Sequence, residues 1–114
     1  MIKRRDEQTK TYEYNSAGSE AFSLYNLKEF SGINEKIKQF SYVEINAGEE
    51  VPFHEHHGNA ESYYIISGHG LYNDNGKEIE VGEGTVTFTP SGEGHGLRNI
   101  EKDKLCFIAL VILN

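Results

Sequence analysis

Residues 48–68 read GEEVPFHEHHGNAESYYIISG, which places two histidines, His54 and His56, one residue apart. On a β-strand, residues i and i+2 point to the same face, so these two imidazoles are expected to lie side by side. Two neighbouring imidazoles can chelate one metal ion, because each ring offers a nitrogen lone pair. Glu61 follows five residues after His56, at the start of an apolar stretch, and adds a carboxylate. The stretch therefore indicates part of a metal site.

Residues 84–99 read GTVTFTPSGEGHGLRN and supply a further candidate ligand, His95. If neighbouring strands bring His95 to the first three residues, the set holds three nitrogen donors and one carboxylate. This set leaves positions open on an octahedral ion and suits Mn²⁺, Fe²⁺, Ni²⁺, Co²⁺ or Zn²⁺, and nothing in it selects one of them. The candidate metal ligands are His54, His56, Glu61 and His95.

The two stretches together resemble the paired motifs of the cupin family. The first motif is Gly, five residues, His, one residue, His, three or four residues, Glu, six residues, Gly. The second motif is Gly, five residues, Pro, one residue, Gly, two residues, His, three residues, Asn. Every fixed position is matched, by Gly48, His54, His56, Glu61, Gly68, Gly84, Pro90, Gly92, His95 and Asn99. The motifs span residues 48–99, about the central half of the chain.

This resemblance implies an all-β fold, an antiparallel double-stranded β-helix of the jelly-roll barrel type. It implies that the four candidate ligands hold a divalent metal ion. Asn99, which is fixed in the motif, is interpreted as a structural hydrogen bonder. The reactions of cupins of this size include dioxygenation, decarboxylation and isomerisation, and the sequence does not separate them.

The rest of the chain agrees with an all-β fold. Short segments rich in β-formers, separated by turn signals, predict a sandwich or barrel. Residues 73–76 read NDNG and predict a tight hairpin turn, because Asn-Gly tolerates the positive φ that such turns need. Residues 20–30 are open to a strand or a short helix. We expect one barrel domain over residues 20–114, preceded by a polar segment, residues 1–19, that is either loose or packed on a partner subunit.

The C-terminal run, residues 105–113, is apolar at both odd and even positions, so both faces of this strand need cover. A partner subunit and the N-terminal segment of the same chain are both open as the cover for the outer face. We predict a homodimer. Phe88 is expected to lie in the core, and Cys106 is expected to be buried.

Composition and charge exclude several classes of protein. The 114 residues suffice for one domain, and 18 acidic against 11 basic residues give a formal net charge of −7. A sequence-independent nucleic-acid binder needs clustered Lys and Arg, so no nucleic-acid partner is expected. No membrane association is expected either, because the longest apolar run has nine residues and a membrane-spanning helix needs about 20. No signal peptide is recognisable and cysteine is almost absent, which together predict a cytoplasmic protein.

The expected partner is a small molecule held in the barrel. Tyr63 shares the parity of Glu61 and is a weak candidate for a catalytic acid or a hydrogen bonder to a ligand; the alternative is a core-filling aromatic. Residues 40–45 carry no Lys or Arg, and the facing of Lys36 and Lys38 is undetermined, which weighs against an oxalate- or phosphosugar-type substrate.

Three functions are therefore open. The first is a metal-dependent enzyme of the dioxygenase, decarboxylase or isomerase type. The second is a non-catalytic module that binds or senses a small ligand. The third and weakest is a structural dimer whose metal only adds stability by binding the folded state.

Overall fold

Ten β-strands and a 3₁₀ turn at Arg5–Glu7 form the regular structure of the chain, in a computed structural model that describes residues 1–114. The strands are β1 (Lys10–Tyr14), β2 (Glu20–Asn26), β3 (Ile37–Ile45), β4 (Glu50–Glu55), β5 (Asn59–Ser67), β6 (His69–Asp74), β7 (Lys77–Gly82), β8 (Val86–Thr89), β9 (Gly94–Asn99) and β10 (Leu105–Leu113). All pairings are antiparallel, in a six-stranded sheet of order β1-β2-β3-β10-β5-β8 and a four-stranded sheet of order β4-β9-β6-β7. The prediction of an all-β, antiparallel jelly-roll fold is confirmed, and the ambiguous residues 20–26 form a strand. No helix is long and apolar enough to span a bilayer.

The hydrophobic core lies between the two sheets. Its buried members come from both sheets and are Val43, Ile45, Tyr63, Ile65, Tyr72, Val81, Leu97, Leu105, Phe107 and Ala109. Side chains on a strand alternate between its faces, so each strand sends one parity into this core. Strand β5 shows the rule, because Glu61 and Tyr63 are buried whereas Tyr64 is exposed. The residues between the sheets therefore include part of the predicted metal site.

The predicted hairpin turn joins β6 to β7. Asp74 pairs with Lys77 at its base, and Asn75 and Gly76 between them both have positive φ, at 54° and 101°. Two consecutive positive φ values suit the right-handed twist of the flanking strands, which is why Asn-Gly is favoured at this kind of turn. The turn keeps β6 and β7 in register and brings Tyr72 to the inner face.

The N-terminal segment contributes an edge strand. Strand β1 pairs with β2 in the larger sheet, and the 3₁₀ turn before it brings Arg5 over the sheet. The Arg5 guanidinium lies 4.5 Å from the centroid of the Tyr25 ring and 4.3 Å from that of Tyr42, within the range of cation–π attraction. The segment of residues 1–19, expected from the sequence to be loose or packed on a partner subunit, thus contacts the outer face of β2 and β3 through Arg5.

One continuous row of side chains crosses the outer face of the larger sheet. Its members, in strand order, are Tyr25, Tyr42, Ile108, Tyr64 and Val86. Arg5 covers the first two, whereas Tyr64 and Val86 are exposed and Ile108 is half-buried. The N-terminal segment therefore does not cover the apolar outer face of β10, β5 and β8.

Strand β8 corrects one expectation from the sequence. Phe88 was expected in the core but is 64% exposed, so that expectation is wrong. The inward-facing residues of β8 are two threonines, Thr87 and Thr89, and both are buried. Their hydroxyls are paired, because Thr87 accepts a hydrogen bond from the Tyr63 amide and Thr89 bonds the hydroxyl of Tyr72. Buried polar groups are usually hydrogen-bonded in this way, and the aromatic residue between the two threonines then faces outward.

Candidate metal centre

Four polar side chains meet between the sheets, and they are the four that the motifs single out. Each of His54, His56, Glu61 and His95 offers one ligand atom, and these atoms all lie within 4.8 Å of one another. They come from β4, the residue after β4, β5 and β9, so the cluster exists only in the folded barrel. Glu61 and His95 are almost completely buried, and His54 is the most exposed of the four.

The distances in the cluster match those between adjacent ligands of one metal ion. The Oε1 atom of Glu61 lies 2.7 Å from His95 Nε2, 2.9 Å from His56 Nε2 and 3.6 Å from His54 Nε2. Adjacent ligands on an octahedral ion with bonds of about 2.1 Å stand about 3 Å apart. Three imidazoles and one carboxylate are also a donor set that first-row divalent metals accept. The cluster is therefore a potential site for a divalent metal ion.

A β-bulge aims His54 at this cluster. In the pairing of β4 with β9, Val51 lies opposite Leu97 and His54 lies opposite His95, so three steps on β4 match two on β9. The extra residue changes the parity of β4, and both Val51 and His54 line the space between the sheets. Alternation alone does not predict this; Pro52 is the local signal, since proline inside a strand marks an edge or a bulge.

Two glycines on β9 leave the room that this bulge needs. A Cβ atom on Gly96 would lie 2.9 Å from the backbone nitrogen of Phe53, and one on Gly94 would lie 2.9 Å from the carbonyl oxygen of His54. Both contacts are with backbone atoms, which cannot move aside as a flexible side chain can. Gly94 and Gly96 flank His95 on either side, so the close approach of β4 to β9 occurs at the site itself.

The ring nitrogens that face away from the cluster hold two of the imidazoles in place. His54 Nδ1 lies 2.8 Å from the carbonyl oxygen of Pro52, and His56 Nδ1 lies 2.6 Å from Oδ1 of Asn59. The amide nitrogen of Asn59 donates to the carbonyl of His57, which turns its oxygen toward His56. Because these oxygens only accept, each Nδ1 carries the proton and donates it, and each Nε2 keeps its lone pair for a metal.

His95 is held in the same way by a tyrosine. Its Nδ1 lies 2.8 Å from the Tyr72 hydroxyl, which in turn lies 3.0 Å from Oγ1 of Thr89. The Tyr72 hydroxyl can accept from His95 and donate to Thr89, which leaves His95 Nε2 free on the side of Glu61. Neither Tyr72 nor Asn59 is a fixed motif position, and their roles depend on packing between strands, so the sequence alone does not single them out.

Glu61 is ionised in this environment. Burial alone opposes its ionisation, but the interactions with the neighbouring His54 and His95 outweigh that effect and lower the pKa of Glu61 to about 2. The hydrogen bond to Glu61 also raises the pKa of His54, against the opposing effect of its desolvation. The carboxylate that a metal requires is therefore already present at any pH where the imidazoles are neutral.

Tyr63, the weak candidate from the sequence, lies against the cluster. Its ring centroid is 4.7 Å from that of His95 and 4.4 Å from that of Phe107, and the residue is 2% exposed. Burial, together with the charge of Glu61, raises the pKa of Tyr63 well above its usual range. The hydroxyl therefore stays protonated, and it can donate a hydrogen bond but not act as a base.

The cluster opens into a cavity of about 300 Å³. Its lining residues are Glu13, Phe22, Leu24, Lys38, Gln39, Val43, Val51, His54, His56, Asn59, Glu61, Tyr63, Phe107, Ala109 and Val111. The facing that the sequence left undetermined is now clear, because Lys38 lines this cavity whereas Lys36 bonds the carbonyl oxygen of Asn114 instead. The sequence-based argument against an oxalate-type ligand assumed no cation in the cavity, and Lys38 removes that argument.

Three other polar residues of the motif region lie outside the cluster. His57 and His69 are exposed. Asn99 is buried, and its amide donates to the carbonyl oxygens of Ile45 and Asp103, at 3.0 Å and 2.8 Å. The structural interpretation of Asn99 agrees with these bonds.

Comparisons with known proteins agree with this architecture and this cluster. A family model described as the cupin domain matches residues 41–112. The chain is also 33% identical to a protein of Thermotoga maritima named oxalate-binding protein, in an alignment that covers 99% of this chain and 94% of that protein.

Solved structures show the same fold. The crystal structure of a predicted oxalate decarboxylase from Thermotoga maritima matches with a TM-score of 0.90 at 34% identity, over 100% of each chain. A protein of Photorhabdus luminescens matches with a TM-score of 0.80 over 98% of this chain and 87% of its own, at 17% identity. The second likeness concerns the fold alone.

Proposed function

The chain belongs to the cupin family, and from that premise we propose that it binds a divalent metal ion and, on that ion, a small dicarboxylate of the oxalate type. The proposed metal ligands are His54, His56, Glu61 and His95. The observation that supports this most directly is that each imidazole has its Nδ1 hydrogen-bonded away from the cluster and its Nε2 directed into it. Such bonds orient a histidine and fix its tautomer for metal binding.

The ligand class follows from the number of donors and from the relative. Four protein donors leave two positions on an octahedral ion, and a chelating dicarboxylate takes two. The Thermotoga maritima relative is named an oxalate-binding protein and is similar over nearly the full length of this chain. Lys38 supplies a positive charge at the same cavity.

The side chains of this chain would bind and orient such a ligand rather than transform it. A bound divalent ion supplies Lewis acidity, which holds and polarises carboxylate oxygens. Tyr63 would donate its hydroxyl proton in a hydrogen bond to a ligand oxygen, and Val51 and Phe107 would exclude water from one side. Glu61 cannot serve as a general base while it binds the metal, and the other carboxylate that lines the cavity, Glu13, is exposed. Non-catalytic binding is therefore the function we favour.

Decarboxylation is the second candidate, and the protonated Tyr63 favours it. When oxalate loses CO₂, its carbon–carbon bond breaks and the remaining carbon takes up one proton to give formate. Tyr63 is a protonated group whose ring centroid lies 4.7 Å from that of His95, so it is the candidate donor of this proton. The structural neighbour described as a predicted oxalate decarboxylase supports the same candidate.

We also propose a homodimer built on the outer face of β10, β5 and β8. This face is apolar and exposed at Tyr64, Val86 and Phe88, and the N-terminal segment does not cover it. The formal net charge of −7 argues against a nucleic-acid partner. A cytoplasmic location fits the single, buried and unpaired cysteine, Cys106.

Calorimetric titration of oxalate into the protein, before and after loading with Mn²⁺, tests the proposed function. We expect saturable binding only after loading, loss of that binding in His95→Ala, and unchanged binding in His57→Ala, which removes an exposed histidine outside the cluster. Formate is measured in the same samples, and its release in amounts equal to the oxalate consumed would favour decarboxylation. A loaded protein that takes up metal but no oxalate contradicts the ligand, and a protein that takes up no divalent metal contradicts the site.

A further inference from the structure

We propose that the preferred ligand of the cavity is longer than oxalate: a 2-oxo or 2-hydroxy acid with a short hydrocarbon middle and a terminal carboxylate that pairs with Lys38. The proposal rests on the proposed function, because the head of this ligand would take the place of oxalate at the metal centre. Four observations support it: the volume of the cavity, the order in which polar and apolar side chains line it, the position of Lys38, and the net charge of the metal centre with a bound ligand.

The cavity is larger than oxalate needs. Its volume of about 300 Å³ is at the lower end of the usual range for small-molecule sites. At about 30 Å³ per liquid water, it has room for about ten waters, and oxalate has only two carbons and four oxygens. Much of the wall is apolar, from Leu24, Val43, Phe107 and Val111 among others. With oxalate alone, this apolar wall would stay in contact with water.

Across the larger sheet, the side chains that line the cavity change from a candidate metal ligand to apolar residues and then to a polar residue. Glu61 on β5 pairs with Val111 on β10, and Val111 pairs with Gln39 on β3, so the three side chains form one row on the inner face. Neighbouring strands lie about 4.8 Å apart, so Gln39 stands about 10 Å from Glu61 with Val111 between them. In the neighbouring row, Ala109 on β10 pairs with Tyr63 on β5 and with Ser41 on β3. The small side chain of Ala109 leaves space on the inner face of the sheet. The wall thus runs from metal ligand through apolar side chains to a polar group.

A second β-bulge turns Lys38 toward this far end. Gln39 pairs with Val111 but Ile37 pairs with Ile112, which leaves Lys38 as the extra residue on β3. Without the bulge, Lys38 would face outward opposite Ile112; with it, Lys38 and Gln39 both line the cavity. Lys38 is exposed and also lines the cavity, so this residue stands at the edge of the opening.

The Lys38 ammonium makes neither a salt bridge nor a hydrogen bond within the chain. The one salt bridge that involves a lysine joins Lys104 to Glu44, and the lysine hydrogen bonds come from Lys28 and Lys36. Glu13 also lines the cavity, but it forms no ion pair with Lys38. The positive charge at the opening is therefore available to a ligand.

Charge balance favours a ligand whose carboxylates are separated. A divalent ion with Glu61 carries one net positive charge, so one carboxylate of a ligand neutralises it. Oxalate on the ion would bring two, which leaves one net negative charge on the largely buried metal centre, and an uncompensated buried charge is costly. In a longer diacid, the second carboxylate lies at the opening beside Lys38. Both ends of the ligand are then paired.

Calorimetry on the Mn²⁺-loaded protein tests this with three probes: oxalate, 2-oxoadipate and 2-oxohexanoate. The last two share a chelating head and a six-carbon chain and differ in the terminal carboxylate. We expect 2-oxoadipate to bind more tightly than oxalate. We also expect it to bind about fivefold more tightly than 2-oxohexanoate, because one exposed ion pair contributes an effect of that size. In Lys38→Met that preference should disappear, because only the terminal carboxylate of 2-oxoadipate has Lys38 as its partner. Lys36→Met, whose lysine does not line the cavity, should bind all three acids as the unchanged protein does.

The outcomes separate this proposal from the function on which it rests. Equal affinity for 2-oxoadipate and 2-oxohexanoate overturns the pairing with Lys38, and so does a preference that survives in Lys38→Met. Tight binding of oxalate with no binding of either longer acid overturns the proposed ligand length but leaves oxalate binding in place. Failure of all three acids on a protein that has taken up Mn²⁺ overturns both.

Discussion

The Nδ1 atom of His95 lies 2.8 Å from the hydroxyl oxygen of Tyr72, and both residues are buried. Tyr72 stands outside both cupin motifs, yet it is the group that holds the imidazole of His95 toward Glu61. The hydroxyl bonds Thr89 on its other side, so the orientation of His95 is fixed from β6 and β8 as well as from its own strand.

Replacement of Tyr72 by phenylalanine should weaken metal binding. The change removes only the hydroxyl, so the fold should persist while His95 loses the bond that sets its tautomer. Loss of such an orienting partner lowers metal affinity by about tenfold or more. Competition with a chelator measures the affinity, and the visible spectrum of the Co²⁺-loaded protein should change because it reports the geometry around the ion.

Tyr64→Phe, which removes an exposed hydroxyl on the outer face, is the matched control. Equal affinities in the two variants would contradict the role of Tyr72.

The metal-free protein should be more stable at about pH 5.5 than at about pH 8. The pKa of His54 is raised above its ordinary 6.5, so its contribution is complete below pH 6.5 and is lost as the pH rises through the raised value. The pKa of Glu61 is lowered from 4.5 to about 2, so its contribution is complete above pH 4.5 and is lost as the pH falls through about 2. Both contributions are present between pH 4.5 and 6.5.

Thermal unfolding in the presence of a chelator measures this difference. Glu61→Gln should abolish it, because the neutral amide cannot form the ion pair with His54. Metal binding should depend on pH in the opposite direction, since a proton on His54 competes with the ion, and release should begin above pH 6.5 as the pH falls. A metal-free protein whose stability does not differ between the two pH values would argue against the raised pKa of His54.

The sequence predicted the members of the cluster better than the groups that support them. Motif spacing identified His54, His56, Glu61 and His95, and the structure brings their ligand atoms together. Alternation of side chains located the strands, because one face of most strands is buried against the core. These features depend on local periodicity, which can be read from a single chain.

The features that the sequence did not reveal depend on how strands are paired. The bulges at Pro52 and Lys38 each insert one residue into a ladder, and an inserted residue reverses the facing of the residues beyond it on the same strand. Phe88 was placed on the wrong face because hydropathy ranks it above threonine, whereas hydrogen bonds across the barrel allow Thr87 and Thr89 to be buried. A pattern of single residues contains no information on these partners.

Replacement of Phe88 by glutamate should dissociate the proposed homodimer. Phe88 is exposed on the open outer face, and a charge there would be desolvated in an interface but not in a monomer. We expect the dissociation constant to rise by about 30-fold or more, as at other interface positions that contribute strongly. Sedimentation velocity over a range of concentrations measures it. Ile100→Glu places the same charge on a loop after β9 and should leave the dimer intact; a wild-type protein that is monomeric throughout would contradict the interface.

Replacement of Gly96 by alanine should destabilise the fold and the site together. The new Cβ would lie 2.9 Å from the backbone nitrogen of Phe53 and 3.0 Å from its Cα, so the bulge on β4 must move away from β9. Overpacking of this kind costs about 1–3 kcal/mol in the free energy of unfolding. Because His54 follows this bulge and His95 precedes Gly96, metal affinity should fall as well.

Gly82→Ala is the matched control, since the closest contact of its Cβ would be the side chain of His69, at 3.2 Å, which is exposed and can turn aside. Denaturant unfolding and chelator competition on both variants measure the two effects, and a Gly96→Ala protein as stable as Gly82→Ala would show that the bulge tolerates a larger neighbour.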